Sequence, residues 1–330
     1  MAESSHEVAS NEQQTLIQVQ DVPGKGKGVI AQRDIAIGTC VLYEKPLIMI
    51  DSSTSEVPEK IIAAMLKDLP KERQRQYLSL HNNFPGRYPF SGIARTNCLG
   101  IGQGSRIGAA YPTISRINHS CVPNVHPSWN IDDEMGAAYA VRPIKEGDEI
   151  TIDFSTGGPS IVRQERLYRE YGFHCNCELC SLPPDDLELS DSRHFEIERL
   201  YNAMGGIYRA SEDASAALSD HRFLIKCLEG EYLEGAVLYT TRVYLDAFKI
   251  CSGHGDQARA CAFAERAHRA RLVFEGEDSL FAEHTKALME DPTSHSLFAS
   301  YSTDWEDSDK FPPTSLDEAD FEEWLWKRAN

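Results

Sequence analysis

Apolar and polar positions change their rhythm several times along this chain. From residue 15 to 51, short apolar runs are broken by Gly and Pro, a pattern that predicts strands over 15–20, 28–31, 39–43 and 47–50. Between Pro58 and His81 the spacing of Ile61, Ile62, Met65, Leu66 and Leu69 becomes helical, and Tyr77, Leu78 and His81 follow after Pro70. Residues 84–110 are rich in Gly and polar side chains and read as a loop. Strands resume over 124–128, 135–141 and 149–153, the last entered through the turn Glu146-Gly147-Asp148, and a helix is expected over 159–171. After the linker Leu182-Pro183-Pro184-Asp185-Asp186 the character is helical to the end. There Leu233, Ala236, Val237, Thr240, Val243, Tyr244, Ala247 and Cys251 share one helical face before Gly253. Asp256 caps a second helix carrying Ala260, Phe263, Ala264, Ala267 and Phe274 before Gly276, and so short a link predicts antiparallel packing. The stretch 317–327 mixes acids with Phe321, Trp324, Leu325 and Trp326 and is expected to dock on the protein's own body. Residues 1–14 read as a disordered tail.

Composition narrows the function classes. Of 330 residues, 41% are hydrophobic and 25% charged, which is ordinary for a globular protein with room for a sizeable core. The net charge of -18 is unevenly spread: residues 1–181 hold 21 acids and 18 bases (-3), and 182–330 hold 30 and 15 (-15). Sequence-independent nucleic-acid binding needs a basic face to displace counterions, and this acidic balance argues against it, so no direct nucleic-acid binding is expected. An acidic C-terminal part suits a basic protein partner or simply a well-solvated surface. No apolar run reaches the roughly 18 residues of a spanning helix, and the N-terminus has no apolar signal core, so neither membrane insertion nor secretion is expected. Nine cysteines, an odd number, then point to reduced thiols or metal ligands in an intracellular protein, nuclear or cytoplasmic. A monomer is expected.

The sharpest local signal is Cys175-x-Cys177-x-x-Cys180. Three thiols in six residues can converge on one zinc ion, and a fourth ligand must come from elsewhere. His174 is a candidate by proximity. Cys121 is another, within Arg116-Ile117-Asn118-His119-Ser120-Cys121-Val122-Pro123-Asn124.

That nonapeptide resembles the diagnostic motif of the SET-domain protein-lysine methyltransferases. Gly26-Lys27-Gly28 is similar to the family's early Gly-x-Gly, and Gly147-Asp148-Glu149-Ile150-Thr151-Ile152-Asp153 to its late strand. Tyr171-Gly172-Phe173-His174-Cys175-x-Cys177-x-x-Cys180 resembles the post-SET segment. Asn97, Tyr111-Pro112-Thr113-Ile114-Ser115 and the helical C-terminal part favour the fungal SET proteins and the SET-and-MYND group. No MYND finger is expected, because residues 51–95 contain no cysteine and only His81.

The resemblance implies a mainly β SET fold: short curved sheets, a knot-like cofactor pocket, inserted helices, a zinc-bound post-SET segment and an all-α C-terminal region. The expected boundaries are a SET domain over 15–155 with a helical insertion at about 57–96, the post-SET segment over 156–181, and helices over 182–330. It implies S-adenosylmethionine as cofactor, held by Lys25, Gly26, Lys27, Gly28, Asn97, Asn118, His119 and Phe173. Structural zinc would be held by Cys121, Cys175, Cys177 and Cys180, and the substrate would be a basic protein segment such as a histone tail. Tyr43, Tyr139 and Tyr171 are candidates to line a lysine channel, with core packing the simpler role for each. One position departs from the family pattern. Where a tyrosine usually follows five residues after the acid matched by Glu149, this chain has Phe154, an aromatic wall without the hydroxyl. Tyr111 is the candidate to supply it. Two functions from different classes follow: a lysine methyltransferase, or a SET-fold interaction protein that retains zinc and cofactor but transfers methyl groups poorly.

Overall fold

The computed structural model describes residues 16–51, 58–102, 105–155, 157–204, 207–307 and 309–327, so the tail expected over 1–14 lies outside the described residues. Two compact units divide the chain, 1–181 and 182–330. The first runs in the order β1 (Ile17–Val22), β2 (Gly26–Ala31), β3 (Cys40–Glu44), β4 (Ile48–Asp51), α1 (Glu59–Asp68), α2 (Lys71–Leu78), α3 (Ser91–Asn97), β5 (Leu99–Gly100) and β6 (Ile107–Ala110). It continues with β7 (Asn118–His119), β8 (Val125–Asn130), β9 (Met135–Ala140), β10 (Glu149–Ile152) and α4 (Ser160–Tyr171). Three small sheets result, ordered β1-β2-β10-β7, β3-β9-β8 and β4-β6-β5. Small sheets with inserted helices are the architecture the family resemblance implied.

β1 and β2 form a tight antiparallel hairpin. Proline fixes the first corner at Pro23, Gly24 takes φ +77° at the second, and the Lys25 N–H donates to Val22 O at 3.0 Å, the geometry of a type II turn. β2 therefore begins at Gly26, two residues before the expected start. β10 pairs antiparallel with β2 and parallel with β7, setting Thr151 opposite Asn118 and Ile152 opposite His119. That register brings the nonapeptide beside the end of the late strand. Beneath it, Val29, Val41, Ile114, Ala138 and Ile150 form a fully buried core.

The region read as a loop over 84–110 contains α3, β5 and β6. Seven residues that include Gly92 make a weak helix in isolation, and long-range contacts stabilise this one. Glu59 of α1 accepts from the Phe90 and Ser91 N–H groups at 3.1 and 2.9 Å, satisfying donors at the α3 N-terminus. Gly92 is required, since a Cβ there would lie 2.4 Å from Asn82 Oδ1. In α1, Ile62 and Leu66 are buried against Tyr77 and Ile93.

The second unit is helical: α5 (Pro184–Met204), α6 (Ile207–Glu212), α7 (Ala214–Tyr232), a 3-10 turn (Leu233–Ala236), α8 (Val237–Gly253), α9 (Gln257–Glu275), α10 (Leu280–Glu290) and α11 (Glu318–Trp326). Asp256 caps α9 by accepting from the Arg259 N–H at 3.1 Å, as its position predicts. The face expected to begin at Leu233 begins one turn later. Leu233 has φ +45° and is exposed, while Val243, Ala247 and Cys251 are buried. α11 docks through Leu325 and Trp326, which join the unit's core. No helix among the described residues is long and apolar enough to cross a membrane.

A buried ionic group ties α5 to α7. Glu231 accepts from Ser190 Oγ at 2.6 Å and Arg193 Nε at 2.7 Å, with His194 Nε2 at 3.1 Å. Replacing Glu231 with alanine leaves those groups without their anion and is expected to destabilise this unit by about 3 kcal/mol. Urea denaturation checks this, and an unchanged midpoint would show that the group contributes nothing to stability.

Candidate active site and metal centre

A cavity of about 790 Å³ in the first unit is lined by segments far apart in sequence. Its wall includes Pro23–Lys27 from the β1–β2 turn, Asn97 from the end of α3, residues 115–119 leading into β7, Phe154 after β10, and residues 168–176. Of the residues predicted for this site, Lys25, Gly26, Lys27, Asn97, Asn118, His119, Phe154 and Phe173 all line it. Gly28 is not in the wall. Its missing Cβ instead makes room for Asn118, whose Nδ2 would be 2.8 Å from a Cβ at that position.

Hydrogen bonds hold the wall from behind. Glu149 accepts from Lys25 Nζ at 2.6 Å and from Asn118 Nδ2 at 2.8 Å, so one carboxylate of β10 joins the hairpin turn to the nonapeptide. Asn97 donates to His81 O and Ile93 O at 2.6 and 2.7 Å and is buried. The His119 imidazole is enclosed, with 1% of its side chain exposed. Its Nδ1 accepts the Phe154 N–H at 3.0 Å, which puts the proton of the neutral ring on Nε2, 3.2 Å from Cys121 Sγ. Burial lowers its pKa against the opposing pull of Asp153 and favours that neutral form. Both ring nitrogens are thus committed to protein partners, so His119 offers the cavity no free donor.

The aromatic end differs from expectation. Tyr111 is 3% exposed and lies in the sheet core over Gly136, where a Cβ would come within 2.3 Å of its ring. It does not line the cavity, so its hydroxyl is not the replacement for the one missing at Phe154. Tyr43 is likewise engaged elsewhere, its hydroxyl donating to Asp133. Tyr171 is the tyrosine packed on Phe154, ring centroids 4.9 Å apart. It closes α4, and Gly172 at φ +76° reverses the chain so that Phe173 re-enters the same wall. Sequence reasoning missed His81, Asn83 and Thr96, which belong to no motif, and Arg116, which opens the nonapeptide but was given no role there. Tyr171 carried a signal, standing two residues before Phe173 in the post-SET segment.

Beside the cavity, the Sγ atoms of Cys121, Cys175, Cys177 and Cys180 all lie within 4.8 Å of one another. Cys121 Sγ is 3.9 Å from that of Cys175 and 3.6 Å from that of Cys180. A tetrahedral zinc site with Zn–S bonds of about 2.3 Å requires S–S separations of about 3.8 Å, so donor type and spacing both fit this ion. His174 does not join them, because its ring stacks on Tyr168 at 4.8 Å. Gln164 of α4 clamps the segment by accepting the Cys175 N–H at 2.9 Å and donating to Cys175 O at 2.7 Å.

A family model for the SET domain matches residues 26–155. The chain is also 32% identical over 285 residues to histone-lysine N-methyltransferase set5 of Schizosaccharomyces pombe, a match covering 86% of each chain. The chain belongs to the SET-domain methyltransferase family. Other relatives match over shorter stretches: histone-lysine N-methyltransferase ASHR1 of Arabidopsis thaliana is 39% identical over 24% of this chain and 17% of its own. N-lysine methyltransferase SMYD2 of Rattus norvegicus is 28% identical over 48% of this chain and 35% of its own. The family and these relatives assign the chain a lysine methyltransferase function.

Proposed function

We propose that this SET protein is an S-adenosylmethionine-dependent protein-lysine N-methyltransferase acting on histone tails or other basic protein segments, with zinc in a structural role. The observation that carries the reading is one cavity that unites the glycine turn, Asn118-His119, Phe173 and the Phe154–Tyr171 pair beside a four-cysteine cluster. Its volume suits a ligand of nucleoside size. Gly24 and Gly26 allow close approach of the backbone, and Phe173, backed by the enclosed His119 ring, offers an aromatic face. Bound there, the cofactor would supply an electrophilic methyl on a sulfonium, the C–S bonding pair staying with sulfur when the methyl passes to the lysine nitrogen. The chain's task is alignment. Lys25, Asn118 and Glu149 fix the two ends of the wall, and Phe154 and Tyr171 narrow the approach for the amine. A free lysine titrates near about 10.4, and an aromatic channel favours its neutral, nucleophilic form. Cys121, Cys175, Cys177 and Cys180 would all serve as ligands to the ion, leaving no open position for metal chemistry.

The acidic second unit would attract basic segments, an effect weakened by salt. The names of the relatives describe action on histones for those proteins, and the same action by this chain would fit a location inside the cell, nuclear or cytoplasmic. Phe154 favours a second reading, a SET-fold interaction protein with little transfer activity. A labelled-methyl assay on histones and cell extract separates the two. Signal from the wild type that is lost in His119→Ala supports the enzyme. No signal from the wild type, with recovery in Phe154→Tyr, supports the interaction protein.

A further inference from the structure

Arg163 is the second residue of interest beside the cysteines. It sits on α4, its side chain fully enclosed at 1% exposure, yet among the described residues no carboxylate lies within ion-pair distance of it. Its Nη1 donates to Gly158 O at 2.5 Å, its Nη2 lies 3.9 Å from Cys180 Sγ, and its Nε has no partner. A guanidinium cannot shed its charge, and an isolated buried cation is costly. Thiols would leave that charge uncompensated. Four thiolates around a divalent ion carry about two net negative charges, which an adjacent guanidinium partly neutralises.

We propose that Arg163 is the buried counter-charge of the four-thiolate centre, a positioning residue that raises zinc affinity by stabilising the anionic cluster. The inference rests on the zinc reading given above. It also explains the arrangement of α4: Arg163 faces the sulfur of Cys180 while its neighbour Gln164 grips the backbone of Cys175. One helix thereby supplies charge to the cluster and geometry to the segment that carries three of its ligands. His119 Nε2 also touches the cluster, 3.2 Å from Cys121 Sγ. Outer groups of this kind change metal affinity by about 10–100-fold.

The test compares the full-length wild type with Arg163→Gln, which keeps donors but removes charge, and Arg163→Lys, which keeps charge but loses the planar fork. Elemental analysis is expected to find one zinc per chain in the wild type. Competition with a chromophoric chelator is expected to show zinc held about 10–100-fold more weakly in R163Q, and R163K close to the wild type. Equal affinity in R163Q and the wild type overturns the charge role while leaving the zinc reading intact. A folded wild type without zinc overturns both. Should R163Q fail to fold, R163K decides: retained affinity supports the counter-charge, and a loss of about 100-fold reduces Arg163 to a packing role.

Discussion

Chelating the metal from the intact protein is expected to abolish S-adenosylmethionine binding, weakening it by at least about 100-fold in titration calorimetry. The reason is the position of residues 172–176. They form part of the cavity wall, and Cys175 belongs both to that wall and to the four-cysteine cluster. Cys121 anchors the cluster next to Asn118-His119, while Cys175, Cys177 and Cys180 belong to the segment after α4. A zinc ion held by these four cysteines would therefore be the main link between two halves of one wall. Structural zinc contributes about 10–16 kcal/mol of apparent binding energy, far more than the Gln164–Cys175 and Arg142–Glu178 contacts that also hold the segment. Cys177→Ser is expected to reproduce the loss, and Co²⁺ or Cd²⁺ to reverse it in the chelated wild type. Circular dichroism should show the helices of the second unit retained, since they contain none of these ligands. Unchanged cofactor affinity in zinc-free, folded protein would remove the ion from any role in the cavity.

The sequence made the cavity's parts legible and its detailed geometry less so. Strand punctuation by Gly and Pro located β1 to β4, and short-range chemistry located the nonapeptide and the Cys175–Cys180 cluster, because these signals depend on neighbouring residues. α3 was invisible for the opposite reason: its N-terminal donors are satisfied by Glu59, more than thirty residues away. The fourth sulfur illustrates the same limit. His174 is adjacent to Cys175, but its ring stacks on Tyr168 instead of joining the sulfurs. Cys121 arrives because β7 runs parallel to β10, a pairing between strands about thirty residues apart. Gly28 shows that a motif glycine can serve packing rather than ligand approach. Tyr111 and Tyr171 differ in burial direction, one into the sheet core and one into the cavity, and no local pattern distinguishes them.

Tyr171→Phe is expected to lower kcat by about 10²–10³-fold while leaving cofactor binding nearly unchanged. Phe154 offers a wall but no hydroxyl, Tyr111 is enclosed in the core, and Tyr171 stands 4.9 Å from Phe154 with its ring in the cavity. Of these tyrosines, only Tyr171 lines the cavity, and in the proposed reading its hydroxyl would orient the amine. Burial raises the Tyr171 pKa above its ordinary value, and the negative charges of Glu170 and Asp153 push it the same way. A raised tyrosine pKa keeps the neutral, donating form as pH climbs. The substrate amine changes in the other sense, since its reactive neutral form grows as pH rises toward its own pKa. The wild-type rate should therefore increase through about pH 7–9 with no descending limb from Tyr171. In the double variant Tyr171→Phe/Phe154→Tyr the hydroxyl moves to the facing ring, and recovery of at least about tenfold over Tyr171→Phe is expected. Full activity in the single variant would show that alignment by the aromatic walls suffices without any tyrosine hydroxyl. Equal loss of kcat and of cofactor affinity would instead make Tyr171 part of the cofactor's own support.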